Sequence, residues 1–127
     1  LDQDMNGTSE AIKSELIADP SIDAVITLAA WAADAAASSI EQQSKTGKIE
    51  LGTFDMSASV LDRISKGTQT FAIDQQPYLQ GYLATSMLFA NLKFGTAIAT
   101  KPVLTGPAIV DKTNVASAIE GVKLGAR

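Results

Sequence analysis

The amino-acid sequence predicts an α/β fold in which helices flank a parallel β-sheet. Short apolar runs of strand length alternate with longer segments of helical periodicity, the pattern expected when helices connect parallel strands. The chain has 127 residues, of which 46% are hydrophobic and 19% are charged, so it has the size and composition of one globular domain. Glycine or proline stands near most of the predicted helix ends.

The first three predicted elements are a helix, a strand and an alanine-rich helix. Thr8 is predicted to cap the first helix, whose apolar residues recur at helical spacing until Pro20 ends it. The apolar run 23–28 is typical of a strand that is buried on both faces. The stretch 30–44 predicts the second helix, and Gly47 follows as its stop.

The alternation then continues through two more strands and two more helices. Residues 48–54 predict the second strand, and Ser57 is placed to cap a helix that Gly67 closes. Residues 69–73 predict the third strand. Pro77 follows at a position that suits the first turn of a fourth helix.

The end of the chain is less regular. Gly95 is predicted to stop the fourth helix just after Phe94. Residues 96–127 carry only short apolar pieces and predict a segment that crosses between elements or forms an edge, with a last helix that begins at Asp111 or Thr113.

Charge and composition exclude several classes of function. The net charge is −4 and the ten basic residues are scattered singly, which disfavours nucleic-acid binding. The sequence has no cysteine and no histidine, so Cys–His and Ser–His nucleophilic machinery and the usual zinc sites are excluded. No run approaches the length of about 18 apolar residues that would predict a transmembrane helix.

Polar and aromatic side chains follow the predicted strands at their carboxyl ends, where open α/β sheets bind ligands. Trp31 comes after the first strand and Asp55 after the second, and Asp74, Gln75 and Gln76 come after the third. Carboxylates and carboxamides bind hydroxyl groups, and an aromatic face packs against a sugar ring. No lysine or arginine lies at these junctions, so the set predicts a site for a neutral sugar or polyol rather than for a phosphate.

Each of these side chains also has a purely structural interpretation. Trp31 is also typical of a residue that covers the edge of a core. Asp55 is also consistent with a helix cap or a turn, and Asp74 with a local turn hydrogen bond. Gln75 and Gln76 are also consistent with a solvated loop. Their grouping on one edge of the predicted sheet favours the binding interpretation.

A second interpretation of the same region is a phospho-acceptor receiver domain. The chain length suits such a domain, Asp55 follows a strand near mid-chain, and the Lys-Pro pair at 101–102 resembles one in that family. A receiver also needs a pair of acids after its first strand to hold Mg²⁺. Ala29 and Ala30 stand there instead, which disfavours this alternative.

Four segments together carry a family resemblance. They are LIADPSIDAVITL (16–28), GTFDMSASVLDRISKG (52–67), FAIDQQPYLQGYLA (71–84) and VLTGPAIVDKTNV (103–115). With these segments the sequence resembles the C-terminal part of a periplasmic sugar-binding protein of an ABC transporter, of the ribose type that shares its fold with the ligand domains of sugar-responsive transcription regulators. The resemblance implies the periplasmic-binding-protein-like I fold, in which two α/β lobes close by hinge bending around a ligand.

The resemblance implies a binding function without catalysis, cofactor or metal. A sugar or polyol would be bound in the periplasm, after removal of a signal peptide, and delivered to a membrane permease. Asp55 matches the aspartate of the family that hydrogen-bonds sugar hydroxyls, and Gln75 matches a polar residue beside the hinge that also contacts sugar. The alternative within the same fold is the ligand-sensing domain of a sugar-responsive transcription regulator.

The resemblance also implies a division of the chain. Residues 1–75 would form part of the C-terminal ligand-binding lobe, residues 76–104 would belong to the N-terminal lobe, and residues 105–127 would form the closing hinge crossing and tail. The predicted order opens with a helix, whereas a parallel sheet normally opens with a strand. We therefore expect the remaining N-terminal portion of the same protein as a partner of this chain.

Overall fold

The computed structural model describes residues 4–127, which form five helices and four strands in strict alternation. The order begins and ends with a helix, as α1-β1-α2-β2-α3-β3-α4-β4-α5. The elements are α1 (Met5–Ala18), β1 (Ala24–Thr27), α2 (Ala30–Gln42), β2 (Glu50–Phe54), α3 (Ala58–Lys66), β3 (Phe71–Asp74), α4 (Pro77–Phe94), β4 (Ala108–Asp111) and α5 (Val115–Lys123).

The four strands form one sheet in the order β1-β2-β3-β4. The first three are parallel, with Val25 opposite Leu51 and Thr53 opposite Ala72. β4 runs antiparallel to β3 and places Val110 opposite Ala72. The predicted α/β class, with helices flanking a parallel sheet, is therefore confirmed except that β4 is antiparallel. The end of the chain, predicted as a crossing or edge segment with a last helix, contributes the edge strand β4 and helix α5.

The start of α1 differs from the sequence prediction. Asp4 caps the helix by accepting a hydrogen bond of 2.8 Å from the N–H of Gly7, and Thr8 lies inside the first turn. Gly7 makes this cap possible, because a Cβ at that position would lie 2.2 Å from Oδ2 of Asp4. The prediction that Thr8 caps α1 was wrong, since an acceptor four residues earlier takes that place.

Two further helix boundaries differ from the prediction. The second helix ends at Gln42, with Gln43 rather than Gly47 as its cap, and the last helix begins at Val115, after Asn114, rather than at Asp111 or Thr113.

The predicted boundaries of α3 and α4 are confirmed. Ser57 accepts a hydrogen bond of 3.2 Å from the N–H of Val60 at the start of α3, and Gly67 ends that helix in the left-handed conformation, with φ of 78°. Pro77 is the first residue of α4, and Gly95 follows its last turn with φ of 67°. Glycine adopts this backbone conformation without a steric penalty.

The core lies on one face of the sheet only. Side chains alternate between the two faces of a strand, and the register places Leu51, Ala72 and Val110 on the same face. These residues belong to two buried clusters to which helices α1, α2, α3 and α5 contribute. One cluster contains Ala33, Val60, Leu61, Ile64, Ala72, Val110, Val115 and Ala118, and the other contains Leu16, Ala36, Ile40, Ile49 and Leu51.

The opposite face of the sheet is apolar but belongs to neither cluster. It carries Ile26 of β1 and Ile109 of β4, whose exposed fractions are 62% and 58%. Leu28, just beyond β1, is 80% exposed. The strand predicted at 23–28 is present as β1, but the expectation that both its faces are buried is wrong for this chain, because no described helix covers that face.

Helix α4 stands apart from the rest of the fold. It has no buried residue and packs extensively against no other described element. Six of its large apolar residues are each more than half exposed to solvent, namely Tyr78, Tyr82, Leu88, Phe89, Leu92 and Phe94. None of the helices within residues 4–127 is both long enough and apolar enough to traverse a lipid bilayer.

Candidate functional site

A cavity of about 540 Å³ opens at the carboxyl ends of β2 and β3. This is the edge of an α/β sheet where ligands bind. Three of the five side chains singled out in the sequence line it, namely Asp55, Asp74 and Gln75. The full lining consists of Asp55, Met56, Ser57, Ala58, Asp74, Gln75, Pro77, Gln80, Val122 and Arg127.

Asp55 and Gln75 are joined directly. The Nε2 of Gln75 donates a hydrogen bond of 2.6 Å to Oδ1 of Asp55. Asp55 is held just past β2 by a 2.9 Å hydrogen bond from its N–H to the carbonyl of Ile73. Its φ of 66° is left-handed, which costs a non-glycine residue about 1 kcal/mol. The pair leaves the second oxygen of Asp55 and the carboxamide oxygen of Gln75 without a hydrogen bond from any described residue.

Asp74 faces the same cavity but is already engaged by the protein. It is 1% exposed, and its Oδ1 accepts a hydrogen bond of 2.7 Å from the N–H of Gln76. Its Oδ2 lies 2.9 Å from Nε of Arg127, which forms an ion pair with it. The geometry thus matches the local turn bond that the sequence left open as an alternative for Asp74.

Gln76 lies at the junction but not on the cavity wall. It precedes α4 in the left-handed conformation, and its side-chain amide donates to the carbonyl of Thr105. The hydroxyl of Thr105 in turn donates 3.1 Å to the carbonyl of Gln75. Gln76 therefore ties together the two segments that leave the sheet after β3 and return to it before β4.

Trp31 lies outside this group. It is the second residue of α2, is half-buried, and does not line the cavity. The structure therefore brings Asp55, Asp74 and Gln75 together and leaves Trp31 and Gln76 away from the cavity wall.

Arg127 is the one charged residue of the cavity wall that the sequence did not indicate. It reaches the cavity from the far end of the chain, 53 positions beyond its partner Asp74. No sequence motif near Arg127 or near Asp74 predicts this ion pair. Since the charge of Arg127 balances that of Asp74, Asp55 is the carboxylate of the cavity that has no cationic partner among the described residues. A free carboxylate and a carboxamide side by side favour a neutral ligand rich in hydroxyl groups.

Comparison with known proteins identifies relatives of the chain. The profile of the periplasmic binding protein domain matches residues 2–97. The xylose/arabinose-binding protein of Sulfolobus acidocaldarius is 33% identical over 76 residues, which is 60% of this chain and 19% of that protein.

Two solved structures extend the likeness to the whole fold. A carbohydrate transporter from Acidothermus cellulolyticus in complex with myo-inositol is 37% identical with a TM-score of 0.86, over 98% of this chain and 43% of that one. An ABC transporter solute-binding protein from Agrobacterium vitis, bound with α-D-tagatopyranose, is 28% identical with a TM-score of 0.79, over 94% of this chain and 39% of that one.

The chain thus spans about two fifths of the length of these structures, and its match covers about a fifth of the curated relative. The matched family profile nevertheless covers most of the chain, and the sheet with its flanking helices matches the fold of these structures. The chain belongs to the family of periplasmic binding protein domains.

Proposed function

We propose that the chain is part of the substrate-binding component of an ABC-type sugar uptake system. In this proposal it binds a neutral sugar or polyol without catalysis, acts in the periplasm and delivers the ligand to a membrane permease. The observation that carries the proposal is the Asp55–Gln75 pair at the mouth of the cavity, with a hydrogen bond of 2.6 Å between the two side chains. Family membership and the sugar- and inositol-bound relatives support it.

The chemistry of the pair suits vicinal hydroxyl groups. The carboxylate of Asp55 accepts hydrogen bonds from hydroxyl protons, and charged acceptors make stronger hydrogen bonds than neutral ones. The carboxamide oxygen of Gln75 adds a second acceptor next to it. Met56, Pro77 and Val122 supply apolar surface in the same cavity for the C–H groups of a ring.

We further propose that this cavity is one wall of a cleft between two lobes. Residues 1–75 would belong to the ligand-binding C-terminal lobe and residues 76–104 to the N-terminal lobe, because α4 lacks a packing partner in the described chain. Residues 105–127 would return across the hinge. Their β4 pairs with β3 and their α5 enters the buried core, which supports a return into the first lobe.

The uncovered sheet face supports the same proposal. Sheets that are mostly parallel are normally covered on both faces, whereas here one face leaves Ile26 and Ile109 exposed. A remaining N-terminal portion of the same protein would cover this face and the apolar side chains of α4. The incomplete coverage of the solved relatives agrees with this expectation.

The proposal is tested by calorimetry on the complete native polypeptide that carries this sequence, titrated with myo-inositol, D-xylose and D-tagatose. We expect at least one to bind, and we expect Asp55→Asn to weaken that binding about tenfold to a hundredfold, since a charged hydrogen bond contributes about 1.5–3 kcal/mol. Asp62→Asn is the matched control, because Asp62 is an exposed acid on α3 that pairs with Lys66. Equal affinities for Asp55→Asn and the parent protein would refute the assigned role of Asp55.

A further inference from the structure

Arg127 is the one positively charged residue among those that line the cavity. Its Nε lies 2.9 Å from Oδ2 of Asp74, a carboxylate that is almost completely buried. The Nε–H of the Arg127 side chain is not aligned for a hydrogen bond to Oδ2 of Asp74, and Oδ2 accepts no hydrogen bond from any other described residue. A buried carboxylate without a compensating charge is strongly unfavourable. The ion pair with Arg127 is therefore what compensates the charge of Asp74.

The turn that follows α5 positions Arg127 beside Asp74. The N–H of Ala126 bonds to the carbonyl of Gly121 at 2.9 Å, and the N–H of Gly125 bonds to the carbonyl of Val122 at 3.0 Å. These two bonds form a Schellman motif, in which Gly125 takes the left-handed conformation with φ of 68° and turns the chain back. Gly121 leaves room for the stem of Arg127, since a Cβ there would lie 2.9 Å from Cδ of Arg127.

The other oxygen of Asp74 connects this ion pair to the proposed binding residues. Oδ1 of Asp74 holds the N–H of Gln76 at 2.7 Å. Gln76 has φ of 55° and ψ of 58°, a conformation that a non-glycine residue keeps only when its surroundings favour it. The preceding residue, Gln75, donates from its side chain to Asp55. The orientation of Gln75 thus depends on a turn that Asp74 fixes.

We propose that Arg127 is a positioning residue of the cavity. Its charge holds the carboxylate of Asp74 in place. Asp74 then fixes the backbone at Gln76, which orients the side chain of Gln75 toward Asp55. The consequence for ligand affinity rests on the proposed function, whereas the positioning itself is a property of the free protein.

The first test compares Arg127→Met with the control Lys123→Met in the complete native polypeptide. Both variants lose one positive charge near the end of α5, but Lys123 is exposed and pairs only with Glu120, at 3.5 Å. We expect Arg127→Met to raise hydrogen exchange at the N–H of Gln76 at least about tenfold. We also expect it to move the side-chain amide resonances of Gln75, and Lys123→Met to change neither.

A second variant separates positioning from a general loss of stability. Asn in place of Asp74 keeps an oxygen that accepts from Gln76 but removes the buried charge. We expect the double variant Asp74→Asn, Arg127→Met to restore the Gln75 resonances and the slow exchange at Gln76. If Arg127→Met lowers the melting temperature but leaves both signals unchanged, Arg127 supports the fold alone and the proposal is wrong.

Calorimetry with myo-inositol, D-xylose and D-tagatose then tests the consequence for binding. If the parent protein binds one of them, we expect Arg127→Met to weaken it about tenfold and Lys123→Met to leave it unchanged. Unchanged affinity in Arg127→Met contradicts the proposal. If the parent binds none of the three, it is the proposed function that fails, and exchange at Gln76 with the Gln75 resonances still decides the role of Arg127.

Discussion

The uncovered sheet face makes a quantitative prediction about Ile26. Complete burial of an isoleucine side chain contributes about 1.5–3 kcal/mol, and Ile26 is 62% exposed in this chain. Only about two fifths of that contribution is available here, so Ile26→Ala should lower the free energy of unfolding of the 127-residue chain by about 1 kcal/mol or less. If the rest of the protein covers this face, the same substitution in the complete polypeptide should cost about 2–5 kcal/mol.

The measurement is denaturant-induced unfolding of both polypeptides, each at a concentration low enough to limit self-association. Leu51→Ala is the matched control, because Leu51 is 2% exposed on the packed face of the neighbouring strand. It should cost about 2–5 kcal/mol in both polypeptides. Equal costs for Ile26→Ala in the two polypeptides would contradict the reasoning, since they would mean that this face stays open to solvent in the complete protein.

Three further predictions concern other parts of the chain. Gly125→Ala should lower the free energy of unfolding by about 1 kcal/mol, because Gly125 has a positive φ. Gly81→Ala should not lower it, because Gly81 lies in the interior of α4 and its φ is not positive. Thermal melting of the two variants measures the difference. The pKa of Asp111 is lowered mainly by a hydrogen bond from the hydroxyl of Thr113 and secondly by one from its N–H. The stability that this turn contributes is therefore fully present above the ordinary aspartate pKa and is lost as the pH falls through the lower pKa of the folded state. Thr113→Val should raise that pKa in an NMR titration, and no change would exclude the hydroxyl as its main cause. Phe89→Ser should reduce self-association of the 127-residue chain in sedimentation velocity, because Phe89 is exposed on α4, and an unchanged distribution would exclude α4 as the associating surface.

The sequence predicted best those features that depend on neighbouring residues. Ser57, Gly67, Pro77 and Gly95 each act within one turn of their own helix, so their types and spacing suffice to place four helix ends. The same local reasoning failed for Thr8, because Asp4 is a second residue of capping type nearby, and Gly7 leaves the space that its carboxylate occupies.

The features that the sequence did not reveal depend on contacts between distant segments. β4 pairs with β3 through Ile109 and Ile73, which are 36 positions apart. The sequence of a four-residue strand is too short to predict which strand it pairs with. Arg127 reaches Asp74 only because α5 packs against α3 and ends in a turn that points back to the sheet. The grouping of Asp55, Asp74 and Gln75 was predictable, because all three follow the carboxyl ends of parallel strands. The contact between Arg127 and Asp74 was not.

The contacts of Gln76 and Thr105 bear on how the chain can bend. The segment that leaves the sheet and the segment that returns to it are joined side by side by hydrogen bonds. In the two-lobed arrangement proposed above, both segments would have to bend together when α4 moves relative to the sheet, because these hydrogen bonds join them. The bend would lie next to Gln75, so a ligand that contacts both Asp55 and Gln75 would sit beside it.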